Sequence, residues 1–293
     1  MISERRAVGE LIFAGAIWGF GFIATVFALR DMGPLTMAVV RFVVAIVATL
    51  PFFFLIPSLK NTNHRKILTL SFWPGMMLGL LMVLQTWGLQ YTTATKSSFI
   101  TTLYIVFVPL MERFFYRRKI IFSHYVYVLI ALVGTALICN FHAGDWNLGD
   151  LLTLGCSLGA TMHILFVGQV SNRIDSSVAF NTYQSFWAMW LPAVLLFVFP
   201  EEWRWPWSNV GLFGLAWLIF GSTILAFMLQ IRAQKVLSSS LASLLFLLES
   251  PFAALFAFAI LGDRLSLTQW GGALLIIASA YGVVRTETSV VKT

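Results

Sequence analysis

Charge is what this chain lacks. Only 11% of its 293 residues are charged, against 59% hydrophobic, and the mean hydropathy is +0.86. So few polar side chains cannot coat a water-soluble domain of this length, which excludes a soluble globular fold. Acidic residues are the scarcest, 12 against 19 basic ones. The resulting +7 balance does not mark a nucleic-acid surface, because the basic residues sit in short joints and not on one patch or helix. Cysteine is nearly absent. Cys139 and Cys156 fall inside or at the edge of apolar segments, which argues against a disulfide framework or a zinc site and for packed thiols. The chain also has no Walker loop, no paired metal-binding histidines on one helix and no Gly-x-Ser-x-Gly elbow. Enzymatic chemistry, ATP-driven pumping and a cofactor are therefore not expected.

What the chain has instead is long apolar runs. Ten of them occupy positions 11–29, 35–56, 67–89, 98–116, 121–141, 151–170, 179–199, 210–231, 241–261 and 267–284, joined by short polar segments. A helix rises about 1.5 Å per residue and the hydrocarbon core of a bilayer is about 30 Å thick, so each run is long enough to cross once. Strands are excluded, because no run alternates with period two and unpaired amides are too costly in lipid. The first run follows Arg5 and Arg6 but lacks a small-x-small cleavage site, so it reads as a retained span and not a signal peptide. The expected class is an all-α integral membrane protein of ten transmembrane helices, with the lipid bilayer as its first partner.

Orientation follows from the basic residues. With the N-terminus in the cytoplasm, 14 of the 19 Lys and Arg face inward, four face outward, and Arg41 lies within a span. This asymmetry obeys the positive-inside rule and places both termini in the cytoplasm of a bacterial-type plasma (inner) membrane.

The chain also repeats itself. Positions 97–109 (SSFITTLYIVFVP) shifted by 142 fall on 239–251 (SSLASLLFLLESP), with the leading Ser-Ser and the closing Pro109 and Pro251 in register. The repeat divides ten spans into five and five, as units 8–141 and 147–285. An odd number of spans per unit forces the second to enter from the opposite side. Inverted repeats of this kind underlie alternating access, with a site near the midplane.

Several ordered motifs then resemble one family. They are Trp18-Gly19-Phe20-Gly21-Phe22, Gly33-Pro34 with Arg41-Phe42, Tyr91-Thr92-Thr93-Ala94, Gly149-Asp150-Leu151-Leu152, Gln230 to Lys235, Glu249-Ser250-Pro251 and Leu261 to Ser266. In order and spacing they are similar to the EamA-type drug/metabolite transporters, over roughly residues 8 to 285. Asp263 stands where the family usually has Glu, Ser250 interrupts a Glu-Pro pair, and Arg117-Arg118-Lys119 replaces an acidic loop. The resemblance implies a secondary transporter that exports a small organic metabolite, such as an amino acid or a drug-like compound. It also implies a cavity walled by the first four and the sixth to ninth helices, braced by the fifth and tenth. The alternative is a non-transporting receptor or assembly component on the same fold.

Candidate site residues follow from the cost of polarity in lipid. Glu249 is the only acidic residue near the centre of a span, and an ionisable group there is a functional candidate by default. Pro251 cannot donate to the carbonyl of Leu247, so a break beside the carboxylate is expected. A neutral, hydrogen-bonded and purely structural Glu249 is the competing reading. His163, mid-span, is either a proton-handling partner or a buried histidine satisfied by one neighbour. Gln85, Trp87, Gln90, Tyr104, Trp187 and Gln230 line a cavity or bond between helices. Trp18 and Phe246 belong with them as aromatic walls. Arg41 is near the outer end of its span, and the resemblance implies a fold-stabilising role for it. Trp203, Trp205 and Trp207 fit an interfacial aromatic belt. Gly15/Gly19, Gly75/Gly79 and Gly155/Gly159 suit close packing inside a bundle, which leaves a monomer as the expected form and a dimer as the alternative.

Overall fold

The computed structural model describes residues 2–290 except 89, 93, 118–119, 140–145, 203–206 and 262–263. The side chains at 57–58, 94–96, 98, 261 and 287–290 are also outside the description. Trp203, Trp205, His142, Asp145, Arg118, Lys119, Thr93 and Asp263 therefore lie outside the described residues.

Every described element is helical. In chain order these are α1 (Glu4–Ala28), α2 (Pro34–Leu55), the single turn α3 (Pro57–Lys60), α4 (His64–Leu70), α5 (Phe72–Gly88), α6 (Ala94–Thr101), α7 (Tyr104–Tyr116) and α8 (Phe122–Ile138). There follow α9 (Leu148–Val170), α10 (Ser177–Val198), α11 (Asn209–Ala216), α12 (Phe227–Ala233), α13 (Ser239–Phe246), α14 (Glu249–Phe256) and α15 (Leu267–Val290). A π-helical stretch, Trp217–Ala226, joins α11 to α12, and another, Ala257–Leu261, extends α14.

Among the described residues, seven helical stretches, two of them interrupted by a two-residue turn, are long and apolar enough to cross a bilayer, and the pair α4–α5, bent by 45° at Ser71, makes an eighth. The apolar α8 has 17 residues. α10 has 22, and its inner face carries Asn181, Thr182 and Gln184, which makes it the more polar helix. These groups bond inside the bundle, Asn181 to the Thr223 carbonyl at 2.8 Å, Thr182 to Thr49 at 2.9 Å and Gln184 to Asn181 at 2.8 Å. The outer surface is apolar: Phe54, Phe114, Phe122 and Phe197 are about 80% exposed or more. Water would penalise such a belt and lipid does not. The protein is a multi-pass membrane protein.

Helix starts are set by caps. Ser3 accepts from Arg6 N–H, so the polar turn Glu4–Glu10 is helical well before the first apolar run. α9 begins with a full capping box, Asn147 with Asp150. Two caps arrive from distant joints. Glu201 accepts the Leu35 and Thr36 N–H groups at 2.9 and 2.8 Å and so covers the start of α2. Asp31 holds the N–H and hydroxyl of Ser208, whose side chain in turn caps α11.

The helices pack in a compact set of partners. α5 lies on α9 and α10, α2 on α10, α1 on α11 and α14, and α8 on α15. The small-residue pairs serve these crossings. Gly19 takes the backbone of Glu249 and the Cβ of Phe252 so closely that an added Cβ would sit 2.8 Å from both. Gly79 meets the Ala188 carbonyl in the same way.

Two spans read as continuous are broken. α6 and α7 part at Thr102–Leu103, and α13 and α14 part at Leu247–Leu248, immediately before Glu249. The break near Pro251 differs from expectation in one respect: the Leu247 carbonyl is not left free. Ser250 N–H takes it at 3.0 Å, closing a tighter turn in place of the bond Pro251 cannot make.

Candidate functional site

A cavity of about 170 Å³ lies inside the helix bundle. Its walls come from α1 (Trp18, Gly21, Phe22, Thr25), α2 (Arg41, Phe42), α5 (Met82, Gln85), the α6–α7 break (Thr101, Tyr104), α9 (Cys156, His163), the π-helical stretch (Ser222), α12 (Phe227, Gln230), and the α13–α14 break (Phe246, Glu249). α8, α10 and α15 contribute nothing to it.

Each element presents its residue for a local reason. The α13–α14 break turns Phe246 and Glu249, the last and first residues of their helices, toward the same space. Phe246 meets Trp18 edge-on at 5.3 Å, and Phe227 lies tilted against the same indole, also at 5.3 Å. The three rings form an apolar wall of the kind aromatic pairs favour. Across from it, Tyr104 opens α7 with its hydroxyl beside the Glu249 carboxylate. The two interact electrostatically, but the geometry falls short of a formed hydrogen bond, and the hydroxyl has no bonded partner among the described residues.

Two more buried hydroxyls are in the same position. Thr101 and Ser222 both line the cavity and neither has a bonded partner among the described residues. Ser and Thr in helices normally bond back to a carbonyl one turn earlier, as Thr25, Thr49, Thr86, Thr135 and Thr161 do here. Buried polar atoms without partners are rare enough to need a reason, and a cluster around one cavity points to a polar occupant.

Arg41 is 6% exposed. Its Nε donates to Thr223 Oγ1 and its Nη1 to Met82 Sδ at 3.6 Å. The Thr223 hydroxyl is itself turned back to the Leu218 carbonyl at 2.8 Å, five residues earlier, as the π-helical winding requires. The resemblance implied a fold-stabilising role for Arg41, and its contacts are a hydroxyl and a thioether on two other elements.

His163 is held from behind. Its Nε2 pairs with Gln184 Oε1 at 3.3 Å, Gln184 bonds Asn181, and Asn181 bonds the Thr223 carbonyl. Gln230 donates to Gln234, which donates to the Ile164 carbonyl. Gln85 faces the cavity half-buried.

The structure thus brings together Glu249, His163, Trp18, Gln85, Tyr104, Gln230, Phe246 and Arg41, and leaves Trp187 out. Trp187 sits on α10, and its indole N–H donates to the Leu68 carbonyl at 3.0 Å beside the α4–α5 bend. Trp87 and Gln90 also lie off the cavity; Trp87 stacks edge-on with Phe199. The expectation that the seventh span, α10, helps to wall the cavity is corrected: its polar face is spent on Thr49, Thr223 and His163. Sequence reasoning missed Thr101, Ser222, Met82, Cys156 and Phe227. Their residue types are common in any helix, and the only available signal was that Thr101 precedes the repeated segment's Tyr104 by one turn.

An all-helical, lipid-facing bundle that closes around a partly polar cavity defines a membrane protein of the transporter class. The EamA-like transporter family model matches residues 7–140 and again 147–285, and the chain belongs to this family. Among its relatives is an uncharacterized transporter of Archaeoglobus fulgidus, 31% identical over 267 residues, covering 91% of this chain and 82% of that one. A second from the same organism is 24% identical over 92% of this chain and 95% of that one. The uncharacterized transporter YetK of Bacillus subtilis is 26% identical over 62% of this chain and 57% of its own length. A solved crystal structure superposes with a TM-score of 0.79 at 15% identity over 95% of this chain and 96% of that one, a likeness of fold.

Proposed function

We propose that the protein is a secondary transporter of a small organic metabolite, working by alternating access. In this reading ten spans form two inverted five-helix halves, 8–141 and 147–285, in a plasma (inner) membrane with both termini cytoplasmic, and the direction is export. The observation that carries it is the cavity. Residues with unbonded hydroxyls, a guanidinium and a carboxyl group line one cavity between helices of both halves. Such polarity in a bilayer interior is costly unless it serves a passing solute.

The packing supports the inverted halves. Exchanging α1 with α9, α2 with α10, α4–α5 with α11–α12, α6–α7 with α13–α14 and α8 with α15 carries each main contact onto another main contact. The paired breaks in α6–α7 and α13–α14 obey the same exchange. Interactions at the two ends fit a rocking motion. On the side assigned to the cytoplasm, Glu10 of α1 pairs with Arg232 of α12, and Glu112 of α7 accepts from Ser240 of α13. On the other side Thr92 donates to Asp150 at 2.7 Å.

Glu249 is the candidate coupling group. Counterflow of a labelled metabolite in proteoliposomes, for wild type and Glu249→Gln, tests the proposal. Wild-type counterflow is expected, and Glu249→Gln is expected to abolish it or remove its pH dependence. Absence of counterflow for every member of a metabolite panel would refute transport, and an unaltered Glu249→Gln would remove Glu249 from the mechanism. Cysteine labelling near residues 4 and 286 from the two faces tests the topology, which fails if the two sites lie on opposite faces.

A further inference from the structure

We propose that Arg41 is the anchor for a carboxylate on the transported molecule, which makes the substrate an organic acid of amino-acid size. The proposal rests on the transporter reading above and names the chemistry of the same cavity.

Arg41 carries a permanent charge. It is almost fully buried, it lines the cavity, and among the described residues no carboxylate stands within ion-pair distance of it. Its bonds to Thr223 and Met82 fix the Nε edge and engage one N–H of Nη1. Nη2 has no bonded partner among the described residues and, unlike the hydroxyls of Thr101 and Ser222, keeps surface open to the cavity. A buried cation with that much unused donor capacity is strongly disfavoured unless an anion completes it. A carboxylate matches the planar fork of a guanidinium with two parallel hydrogen bonds.

The rest of the cavity fixes the remainder of the molecule. Trp18, Phe42, Phe227 and Phe246 supply apolar surface for an aromatic or branched aliphatic body. Glu249 with Tyr104 offers a second polar point, suited to an ammonium or hydroxyl group. The volume of about 170 Å³ is below the roughly 300–1,000 Å³ of sites for drug-sized ligands. It suits a single amino-acid-sized body. The earlier choice between amino acids and drug-like compounds therefore resolves toward small acids.

The test uses the purified full-length protein in lipid nanodiscs and intrinsic tryptophan fluorescence as the binding signal. Probes are phenylalanine, leucine and 4-phenylbutyrate, each against its carboxamide, with inorganic phosphate as a further anion. At least one acid is expected to bind about ten- to hundred-fold tighter than its amide, the scale of charge-assisted hydrogen bonds. Arg41→Gln is expected to bring that ratio close to one, and Arg41→Lys to restore part of it. Should the variants fail to fold, the wild-type ratio decides by itself. The proposal is overturned by a wild-type ratio near one, by no acid binding, by phosphate binding as tightly as the acids, or by a folded Arg41→Gln that keeps the ratio. Counterflow with the same probes separates the two claims. Acid-selective binding without counterflow refutes transport and leaves the anchor standing. Counterflow of an amide that ignores Arg41→Gln refutes the anchor and leaves transport standing.

Discussion

Replacing Glu10 by glutamine cuts an ion pair between α1 and α12 on the side assigned to the cytoplasm, where the proposed cycle requires a mouth to open, while keeping the side chain's shape. Glu10 is 9% exposed and accepts two hydrogen bonds from Arg232, one of them at 2.8 Å, so the pair is bidentate and joins α1 to α12. A third bond comes from Arg6 on the same helix and does not cross the interface. Arg232 is one-third exposed, which places the pair between a surface bridge worth about 0–1 kcal/mol and a charge-assisted bond worth about 1.5–3 kcal/mol. A value of about 1.5–2 kcal/mol is reasonable, and it changes the ratio of closed to open forms of this mouth by about 10- to 30-fold. Ser239, 4% exposed at the start of α13 with its hydroxyl against Gln234 and the Ile164 carbonyl, reports the opening. In a background with Cys139 and Cys156 replaced, Ser239→Cys is expected to react with a membrane-impermeant maleimide about tenfold faster once Glu10→Gln is added. Arg232→Gln should act in the same direction, and the double variant should add little, since both remove one interaction. Unchanged labelling in both single variants, or fully additive effects, would refute the claim that this pair holds the mouth shut.

Gly19→Val drives a side chain into the Glu249 carbonyl and the Phe252 Cβ at 2.8 Å, and neither is a flexible end. A loss of about 1–3 kcal/mol is expected, seen as a lower unfolding temperature in detergent; no loss would mean α1 and α14 do not cross as closely as described. Glu201→Ala strips the start of α2 of two acceptors and should cost about 1 kcal/mol in the same assay. Trp187→Phe loses one hydrogen bond to Leu68 and should lower stability by about 1 kcal/mol with counterflow preserved, whereas Trp18→Ala should impair counterflow itself. Equal effects of the two on transport would contradict the assignment of Trp18 alone to the cavity.

Hydropathy made the membrane class and the succession of apolar segments legible, because it measures what lipid measures. It is blind to helix ends that leave the lipid: Ser3 starts α1 seven residues before the first apolar run. It is equally blind to the break at Thr102–Leu103, where no proline sits. Prolines mark the other two interruptions: Pro74 lies three residues past the 45° bend at Ser71, and Pro251 four past Leu247, where the neighbouring N–H takes the carbonyl that Pro251 cannot. Within the site, rare residue types carried the signal. Glu249 and Arg41 were visible because charge is scarce in a span, and Trp18 because a motif surrounds it. Trp18 and Trp187 are chemically identical, and what separates them is a carbonyl exposed at a bend far along the chain. Thr101 and Ser222 were invisible for the opposite reason: membrane helices are full of hydroxyls, and which of them lacks a carbonyl depends on three-dimensional winding.

Glu201 and Asp31 each finish a helix that belongs to the other part of the chain, the first at α2 and the second, through Ser208, at α11. The two moieties are therefore stitched like clasped hands, each supplying the stopper for its counterpart's exposed amides. Expressed separately, the first fragment would present a bare start of α2 to the headgroup layer, whereas the second would keep Ser208 as the cap of α11 and lose only the carboxylate that orients it, and mutations at 31 or 201 would act on a segment more than 160 positions away in sequence.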